Sequence, residues 1–128
     1  MRFKMKTLYI VRGLPGSGKS TWVRTQLHIK PLEADDFFMR DGVYRYVADM
    51  VPKAHEFCKR RCENAMKDGQ EVIAVANTFT RKWEYNKYLE LAEKYGYKVV
   101  IQVCKGNYKN VHGVPDEVIA KMRERFEY

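Results

Sequence analysis

Residues 13–20 read Gly13-Leu14-Pro15-Gly16-Ser17-Gly18-Lys19-Ser20, one residue after the apolar run 7–11. The spacing G-x-x-x-x-G-K-S is the P-loop pattern, in which backbone N–H groups of a glycine-rich turn surround phosphate groups. An apolar strand pattern before the loop and a helical pattern after it supply the context that this motif requires. A glycine turn that binds nothing is the alternative, and it fits that context less well. The sequence therefore predicts a nucleoside triphosphate site at residues 13–20.

The residue types of this loop match the chemistry of phosphate binding. Gly13, Gly16 and Gly18 are expected to adopt backbone angles that are closed to other residues. Lys19 is predicted to be catalytic, since its charge reaches the β- and γ-phosphates, and the Ser20 hydroxyl is a predicted ligand of Mg²⁺. The helix that begins here directs the positive end of its dipole at the same anion. The predicted nucleotide-binding residues are Gly13, Pro15, Gly16, Ser17, Gly18, Lys19, Ser20 and Thr21.

The composition is typical of a soluble globular protein with a single domain, residues 1–128. Hydrophobic residues make up 45% and charged residues 31% of the 128 residues, enough to bury one core but not two. The apolar runs are too short to span a bilayer, and no apolar signal core follows the basic N-terminus. Three cysteines without a pairing pattern suit a reducing compartment. We therefore expect a cytoplasmic protein with no membrane partner; the oligomeric state stays open.

The balance of charges gives a net charge of +8. Such a charge favours polyanionic partners, and nucleic acid is first among them. A charge that serves only solubility is the alternative, because net charge reports on association rather than on fold. The charge therefore supports a nucleic acid partner only in combination with the site.

Strand and helix patterns alternate along the chain, which is typical of a parallel sheet covered by helices. The predicted strands are 7–11, a short extended piece at 32–34, 71–76 and 97–103. The predicted helices are 19–28, 52–68, 81–95 and a closing helix after Pro115. Trp83 is expected on the apolar face of the third helix. The sequence thus predicts a three-layer α/β sandwich of the P-loop NTPase class, with a small parallel sheet of about four strands.

The predicted carboxyl ends of the strands bring two adjacent carboxylates near the phosphate site. Asp35 is predicted to be the catalytic base that takes a proton from an attacking hydroxyl. Asp36 is predicted to approach Mg²⁺ or to brace the loop. Both residues could instead cap the turn that follows, a common role for aspartate. The sequence has no [N/T]-K-x-D guanine-reading motif, which argues against a GTPase switch.

Polar and basic residues on the other predicted loops are candidates for substrate binding. Arg40 and Arg45 alternate with aromatic residues, a pattern suited to gripping a phosphate backbone and stacking a base; core aromatics with solvated arginines are an equal alternative. Asn77 lies in the turn after a strand, and Arg81 begins a helix whose dipole disfavours a cation there unless a polyanion compensates it.

Residues 105–114 form a long basic loop with glycines at both ends. Lys109 and His112 are predicted to lie on a lid that closes over the nucleotide and stabilises charge on the phosphoryl group. His55, Cys58 and Cys62 share one helical face but lack a fourth ligand at a sensible spacing, so a metal site is not favoured and the cysteines are interpreted as small hydrophobic residues.

Several sequence blocks, in order, resemble the polynucleotide-kinase-like P-loop kinases, which include the kinase domain of the phage 5′-hydroxyl polynucleotide kinase. The blocks are Gly13–Trp22, Ala34-Asp35-Asp36-Phe37-Phe38, Asn77-Thr78 with Trp83-Glu84, and Asn110-Val111-His112-Gly113-Val114-Pro115 with Met122 and Arg125. The resemblance covers nearly the whole chain. It implies that the γ-phosphate of ATP is transferred, with Mg²⁺, to the 5′-hydroxyl of a nucleic acid, with Asp35 as the base.

The chain departs from the family pattern at three places. Phe38 stands where phage members have an arginine, Ala76 stands where an aspartate ends the third strand, and the lid, which is short for the family, carries Lys109 instead of arginines. Lysine lacks the bidentate geometry of arginine. Two other functions therefore stay open: a kinase of a nucleoside or small metabolite, and a catalytically weak NTP-binding or interaction module.

Overall fold

The computed structural model describes residues 5–108 and 112–128. Its regular elements, in chain order, are β1 (Thr7–Arg12), α1 (Lys19–Trp22), β2 (Met39–Arg40), β3 (Val43–Tyr44), α2 (Val51–Lys67), β4 (Val72–Asn77), α3 (Asn86–Tyr95), β5 (Lys98–Val103) and α4 (Asp116–Arg125). A π-helical turn, Val23–Leu27, continues α1, and single 3-10 turns lie at Ala34–Phe38, Ala48–Met50 and Lys82–Tyr85. The predicted α/β class is confirmed.

A parallel sheet forms the centre of the fold. Its strands have the order β4-β1-β5, with Thr7 opposite Val72 on one side and opposite Lys98 on the other. The short extended piece predicted at 32–34 forms one parallel bridge, between Leu32 and Val75, so the sheet has three strands among the described residues where about four were predicted. The Leu32 N–H donates to the Ala74 carbonyl, and its own carbonyl accepts from the Ala76 N–H, at 2.8 and 2.9 Å. The chain after Leu32 is therefore attached to the outer side of β4.

Alternate residues of β1 pack into two separate cores, because successive side chains of a strand point to opposite faces of the sheet. Leu8 and Ile10 belong to the larger core, which includes buried residues of α2 and α3. Val11 packs with Val23 on the other face, next to α1. Helices thus cover both faces and give the three layers that the alternation of elements predicts.

One local prediction differs from the structure. Trp83 is 74% exposed, so its placement on an apolar helix face is wrong. Residues Lys82–Tyr85 form a 3-10 turn, and with three residues per turn the face rotates away from that of α3.

The segment around Arg40 forms a two-stranded antiparallel hairpin. Asp41 and Gly42 both have positive φ, 51° and 77°, the geometry that an Asp-Gly hairpin turn favours.

A membrane-spanning helix must be long and apolar. Within residues 5–108 and 112–128, no helix combines the length and apolar character that crossing a bilayer requires.

Candidate functional site

The P-loop occupies the turn between β1 and α1, and its glycines serve two different purposes. Gly16 and Gly18 have φ values of 79° and 93°, a left-handed backbone that glycine adopts at no steric cost. Gly13 has no positive φ, so the expectation of special backbone angles is wrong there. A Cβ at Gly13 would lie 2.2 Å from Ser17 Oγ and 2.7 Å from the Cys104 carbonyl oxygen. Gly13 is therefore required for space, not for backbone conformation.

Lys19 is held inside this loop. Its Nζ donates to the carbonyls of Gly13 and Leu14, at 2.9 and 3.0 Å. Burial lowers the pKa of Lys19, and the negative charges of Glu33 and Asp35 act in the opposite direction. The ammonium group thus lies between the loop and two nearby carboxylates, where it can contact a bound anion.

Glu33 contacts the P-loop hydroxyl, a contact that sequence reasoning did not predict. Ser20 Oγ donates to Glu33 Oε1 at 2.6 Å. Burial is the main cause that raises the pKa of Glu33, and the Ser20 hydrogen bond lowers it. The sequence did contain a signal for this contact, because Glu33 directly follows the extended piece at Leu32 and so lies at the edge of the sheet where ligands bind. The structure therefore adds one carboxylate to the predicted magnesium residue Ser20.

Asp36 makes the bracing contacts that were one of its two predicted roles. Its Oδ2 lies 2.7 Å from Arg61 Nη1 and accepts from the Glu33 N–H at 3.2 Å. These bonds connect the 3-10 turn to α2 and fix the backbone of Glu33. The role of Asp36 as a magnesium ligand stays a prediction.

Asp35 points toward the cleft and contacts two rings. The Tyr44 hydroxyl donates to Asp35 Oδ1 at 3.0 Å, and His112 Nε2 lies 3.6 Å from Asp35 Oδ2. The rings of Tyr44 and His112 face each other with centroids 4.4 Å apart. Burial, followed by the charge of Asp35, raises the pKa of Tyr44. The phenol therefore stays a proton donor that orients the carboxylate.

Asn77 supports this region from β4 and is nearly buried, at 8% exposure. Its Oδ1 accepts from the Ala34 N–H at 2.9 Å, and its Nδ2 lies 3.8 Å from Cys58 Sγ. The amide thus fixes the backbone next to Asp35. Its predicted contact with substrate is not tested by these bonds.

The loop after β5 is attached to the P-loop. Gly106 N–H donates to the Ser17 carbonyl at 3.1 Å, and Tyr108 N–H donates to the Gly16 carbonyl at 2.7 Å. Lys109, one of the two predicted lid residues, lies outside the described residues. His112, the other, lies beside Asp35. The lid role of both stays a prediction.

A cleft of about 540 Å³ joins these groups at the carboxyl ends of the strands. Predicted site residues that line it are Pro15, Gly16, Gly18, Lys19, Ser20, Thr21, Asp35, Asn77 and His112. Apolar and aromatic side chains, including Phe38, Tyr44, Tyr46 and Met122, also line it. Arg40, Arg45 and Arg81 are exposed and do not belong to this lining. Residues from four separate loops therefore meet in one cavity.

Arg12 is a second residue that sequence reasoning missed, and it is 1% exposed. Its guanidinium donates to the carbonyls of Phe79, Thr80 and Glu127 and packs on the rings of Tyr85 and Phe126. The signal was a charged residue on the buried face of an apolar strand. Arg12 ties the start of the P-loop to the turn after β4 and to the segment after α4.

Among the described residues, no group of three or more His, Cys, Asp or Glu residues is placed to hold a metal ion. Cys58 and Cys62 are fully buried in the larger core, and burial raises the pKa of both thiols, to about 12 for Cys62.

A glycine-rich turn between a central parallel strand and a helix, with Lys19 and Ser20 at the start of that helix, defines a P-loop protein of the kinase-like α/β class. A family model described as an AAA domain matches residues 8–112. The chain belongs to this family.

Comparisons with individual proteins agree with that class. Human NEDD4-binding protein 2 is 33% identical over 133 residues, which cover 94% of this chain and 8% of that protein. A chain in the structure of the Pnkp1/Rnl/Hen1 complex superposes with a TM-score of 0.63 at 20% identity, over 94% of this chain and 40% of that one. A chain of the AvrRxo1-ORF1:AvrRxo1-ORF2 complex with ATP gives 0.58 at 18% identity, over 92% and 46%. The chain thus spans less than half of each of these proteins.

Proposed function

We propose that this protein transfers the γ-phosphate of ATP to a hydroxyl group, namely the 5′-hydroxyl of a nucleic acid. The observation that carries the proposal is the position of Asp35 and Lys19 on the same cleft. Phosphoryl transfer requires a cation at the phosphates and a base at the acceptor hydroxyl. Lys19 and Asp35 lie on two different loops, and each has hydrogen bonds that fix its orientation.

The reaction follows from these two groups. The acceptor oxygen forms a bond to the γ-phosphorus while the bond from that phosphorus to the β–γ bridging oxygen breaks and ADP leaves. The proton of the acceptor hydroxyl passes to the Asp35 carboxylate. Tyr44 positions that carboxylate through the bond to Oδ1, and Lys19 balances charge on the phosphate oxygens.

The residues at the P-loop fit magnesium. Ser20 offers a hydroxyl and Glu33 a carboxylate in contact with it at 2.6 Å, and both are hard oxygen donors of the kind that Mg²⁺ prefers. Ser20 would hold the ion together with a carboxylate of the segment that follows Leu32, and the ion would supply positive charge to the β- and γ-phosphate oxygens. One or two protein oxygens suffice, because Mg²⁺ keeps phosphate and water ligands at such sites.

The rim of the cleft supports a nucleic acid acceptor. The hairpin formed by β2 and β3 carries Arg40 and is followed by Arg45, both exposed, next to Tyr46, which is 57% exposed. Exposed cations and an aromatic ring beside a site are the features that bind a single-stranded backbone and stack a base. The net charge of +8 acts in the same direction.

The test is transfer of labelled γ-phosphate from ATP to a 5′-hydroxyl oligonucleotide with Mg²⁺. Lys19→Ala and Asp35→Asn are compared with the parent and with Lys87→Ala, an exposed residue of α3. We expect transfer by the parent and by Lys87→Ala, and a loss of at least about 100-fold in the two site variants, as for removal of a base or an anion-stabilising donor. Circular dichroism verifies folding.

Three results would contradict parts of the proposal. ATP binding without transfer to the oligonucleotide would exclude the nucleic acid acceptor. Transfer to nucleosides alone would establish a small-molecule kinase. Full activity of Asp35→Asn would remove Asp35 from the role of base.

A further inference from the structure

A magnesium site at a P-loop uses the hydroxyl that follows the lysine and a carboxylate that a neighbouring strand end provides. The neighbouring strand here is β4, which ends at Ala76 and Asn77. A methyl group and an amide stand at these positions, and the amide oxygen of Asn77 already accepts from the Ala34 N–H. Strand β4 therefore brings no carboxylate to Ser20.

Glu33 reaches the same place from the adjacent chain segment. Leu32 is hydrogen-bonded to both Ala74 and Ala76 of β4. Glu33, the next residue, therefore lies beside the carboxyl end of that strand. Its carboxylate accepts from Ser20 Oγ at 2.6 Å, and it lines the cleft together with Ala76 and Lys19. The backbone of Glu33 is fixed by Asp36, which limits the movement of its side chain.

We propose that Glu33 supplies the carboxylate of the magnesium site, in place of the strand-end acid that Ala76 cannot provide. Asp36 is less suited to direct contact with the ion, because its Oδ2 is engaged by Arg61 at 2.7 Å and by the Glu33 backbone. The inference rests on the proposed function only for the presence of a magnesium–nucleotide complex. It does not depend on the acceptor.

The experiment measures the affinity for ATP by calorimetry, without metal in EDTA and with excess Mg²⁺. The quantity of interest is the factor by which Mg²⁺ tightens ATP binding. Glu33→Gln keeps the size and an oxygen that can accept from Ser20 but removes the charge. Glu90→Gln, the same change at an exposed position of α3, is the matched control. Asp36→Asn tests the neighbouring carboxylate.

We expect Glu33→Gln to bind ATP in EDTA at least as tightly as the parent, because a negative charge beside the phosphates is gone. The tightening by Mg²⁺ should fall at least about tenfold, the size of loss typical for altered metal-site residues. In the double variant Glu33→Gln/Ala76→Asp, a strand-end carboxylate should recover part of that tightening. Titration of Mn²⁺ into each ATP complex, followed by electron paramagnetic resonance, gives an independent affinity for the ion.

Equal loss of affinity with and without Mg²⁺ in Glu33→Gln would show that Glu33 only supports the loop, and would overturn the inference. A loss of the Mg²⁺ effect in Asp36→Asn but not in Glu33→Gln would overturn it as well. A parent protein that shows the Mg²⁺ effect but transfers no phosphate would contradict the proposed function alone. A parent without any effect of Mg²⁺ on ATP binding would overturn both.

Discussion

The cleft has two unlike parts, a floor formed by residues 13–20 with Glu33 and a rim formed by the hairpin segment 39–46. On the floor, Lys19 and Ser20 have specific bonded partners. On the rim, Arg40 and Arg45 are exposed, and Val43 and Tyr46 show 48% and 57% of their surface. The hydrogen-bonded floor suits a ligand group of constant structure, such as a polyphosphate. The exposed rim suits a nucleic acid strand whose sequence varies, because exposed side chains can adjust their contacts. Substitutions in the two parts should therefore have different consequences.

The largest difference in stability is expected between two arginines. Arg12→Met removes the guanidinium donor from the carbonyls of Phe79, Thr80 and Glu127. The Thr80 carbonyl keeps the Glu127 N–H as a donor, and each buried carbonyl left without a donor costs about 1–3 kcal/mol. We expect the free energy of unfolding to fall by about 3 kcal/mol, since the freed carbonyls regain partners in part. Arg40→Met, on the rim, should change it by less than about 0.5 kcal/mol. Urea denaturation measures the free energy of unfolding of both variants. Equal changes in the two would contradict the expected difference between floor and rim.

Two glycines provide the next comparison, through the affinity for ATP. Gly13→Ala places a methyl group 2.2 Å from Ser17 Oγ and 2.7 Å from a backbone oxygen. The loop must move, and we expect ATP binding to weaken about 100-fold, or about 2.7 kcal/mol. Gly42→Ala meets no atom within 4 Å but has φ +77°, so it costs about 1–2 kcal/mol of stability and should leave ATP affinity within about twofold. Calorimetry measures the ATP affinity of both folded variants, and an equal loss in the two would contradict the prediction.

The floor could be predicted from the sequence largely because it is local. The P-loop is a contiguous motif with fixed backbone geometry, and the rule that ligands bind at the carboxyl ends of parallel strands was enough to place Asp35 near it. Strand β1 was predicted from the apolar run 7–11, whereas the division of its side chains between two cores was not.

What could not be predicted depends on contacts between distant residues. Ser20 with Glu33 and Asp36 with Arg61 are 13 and 25 positions apart, and such pairs depend on side-chain directions that no local pattern encodes. Arg12 was overlooked because the strand was ended one residue early. The hairpin could have been predicted from Asp41-Gly42, because this dipeptide is a strong turn signal. The exposure of Trp83 could not, because it depends on a 3-10 turn that a search for α-helical periodicity does not detect.

Tyr44 connects the rim to the catalytic chemistry, so its hydroxyl should affect turnover rather than binding. Tyr44→Phe removes the hydrogen bond to Asp35 Oδ1 and retains the ring against His112. A hydrogen bond to a charged group contributes about 1.5 kcal/mol at the lower end, so we expect kcat for oligonucleotide phosphorylation to fall about tenfold with little change in KM. Tyr9→Phe, on the opposite face near Trp22, is the control. A rise in KM at constant kcat would instead indicate that Tyr44 binds the acceptor.

The exposed arginines of the rim should have the smallest effect and the clearest dependence on salt. Arg40→Gln/Arg45→Gln removes two charges that would release counterions from a bound strand, and each phosphate contact contributes about 0.7 to the logarithmic salt slope for single strands. We expect KM for the oligonucleotide to rise about threefold at low salt, with KM for ATP unchanged, and the difference to vanish as salt increases. Lys87→Gln/Lys94→Gln on α3 lowers the net charge equally, so it separates local contacts from the overall field. If both double variants raise KM alike, the rim contributes only through the net charge, and acceptor contacts must come from the residues that line the cleft.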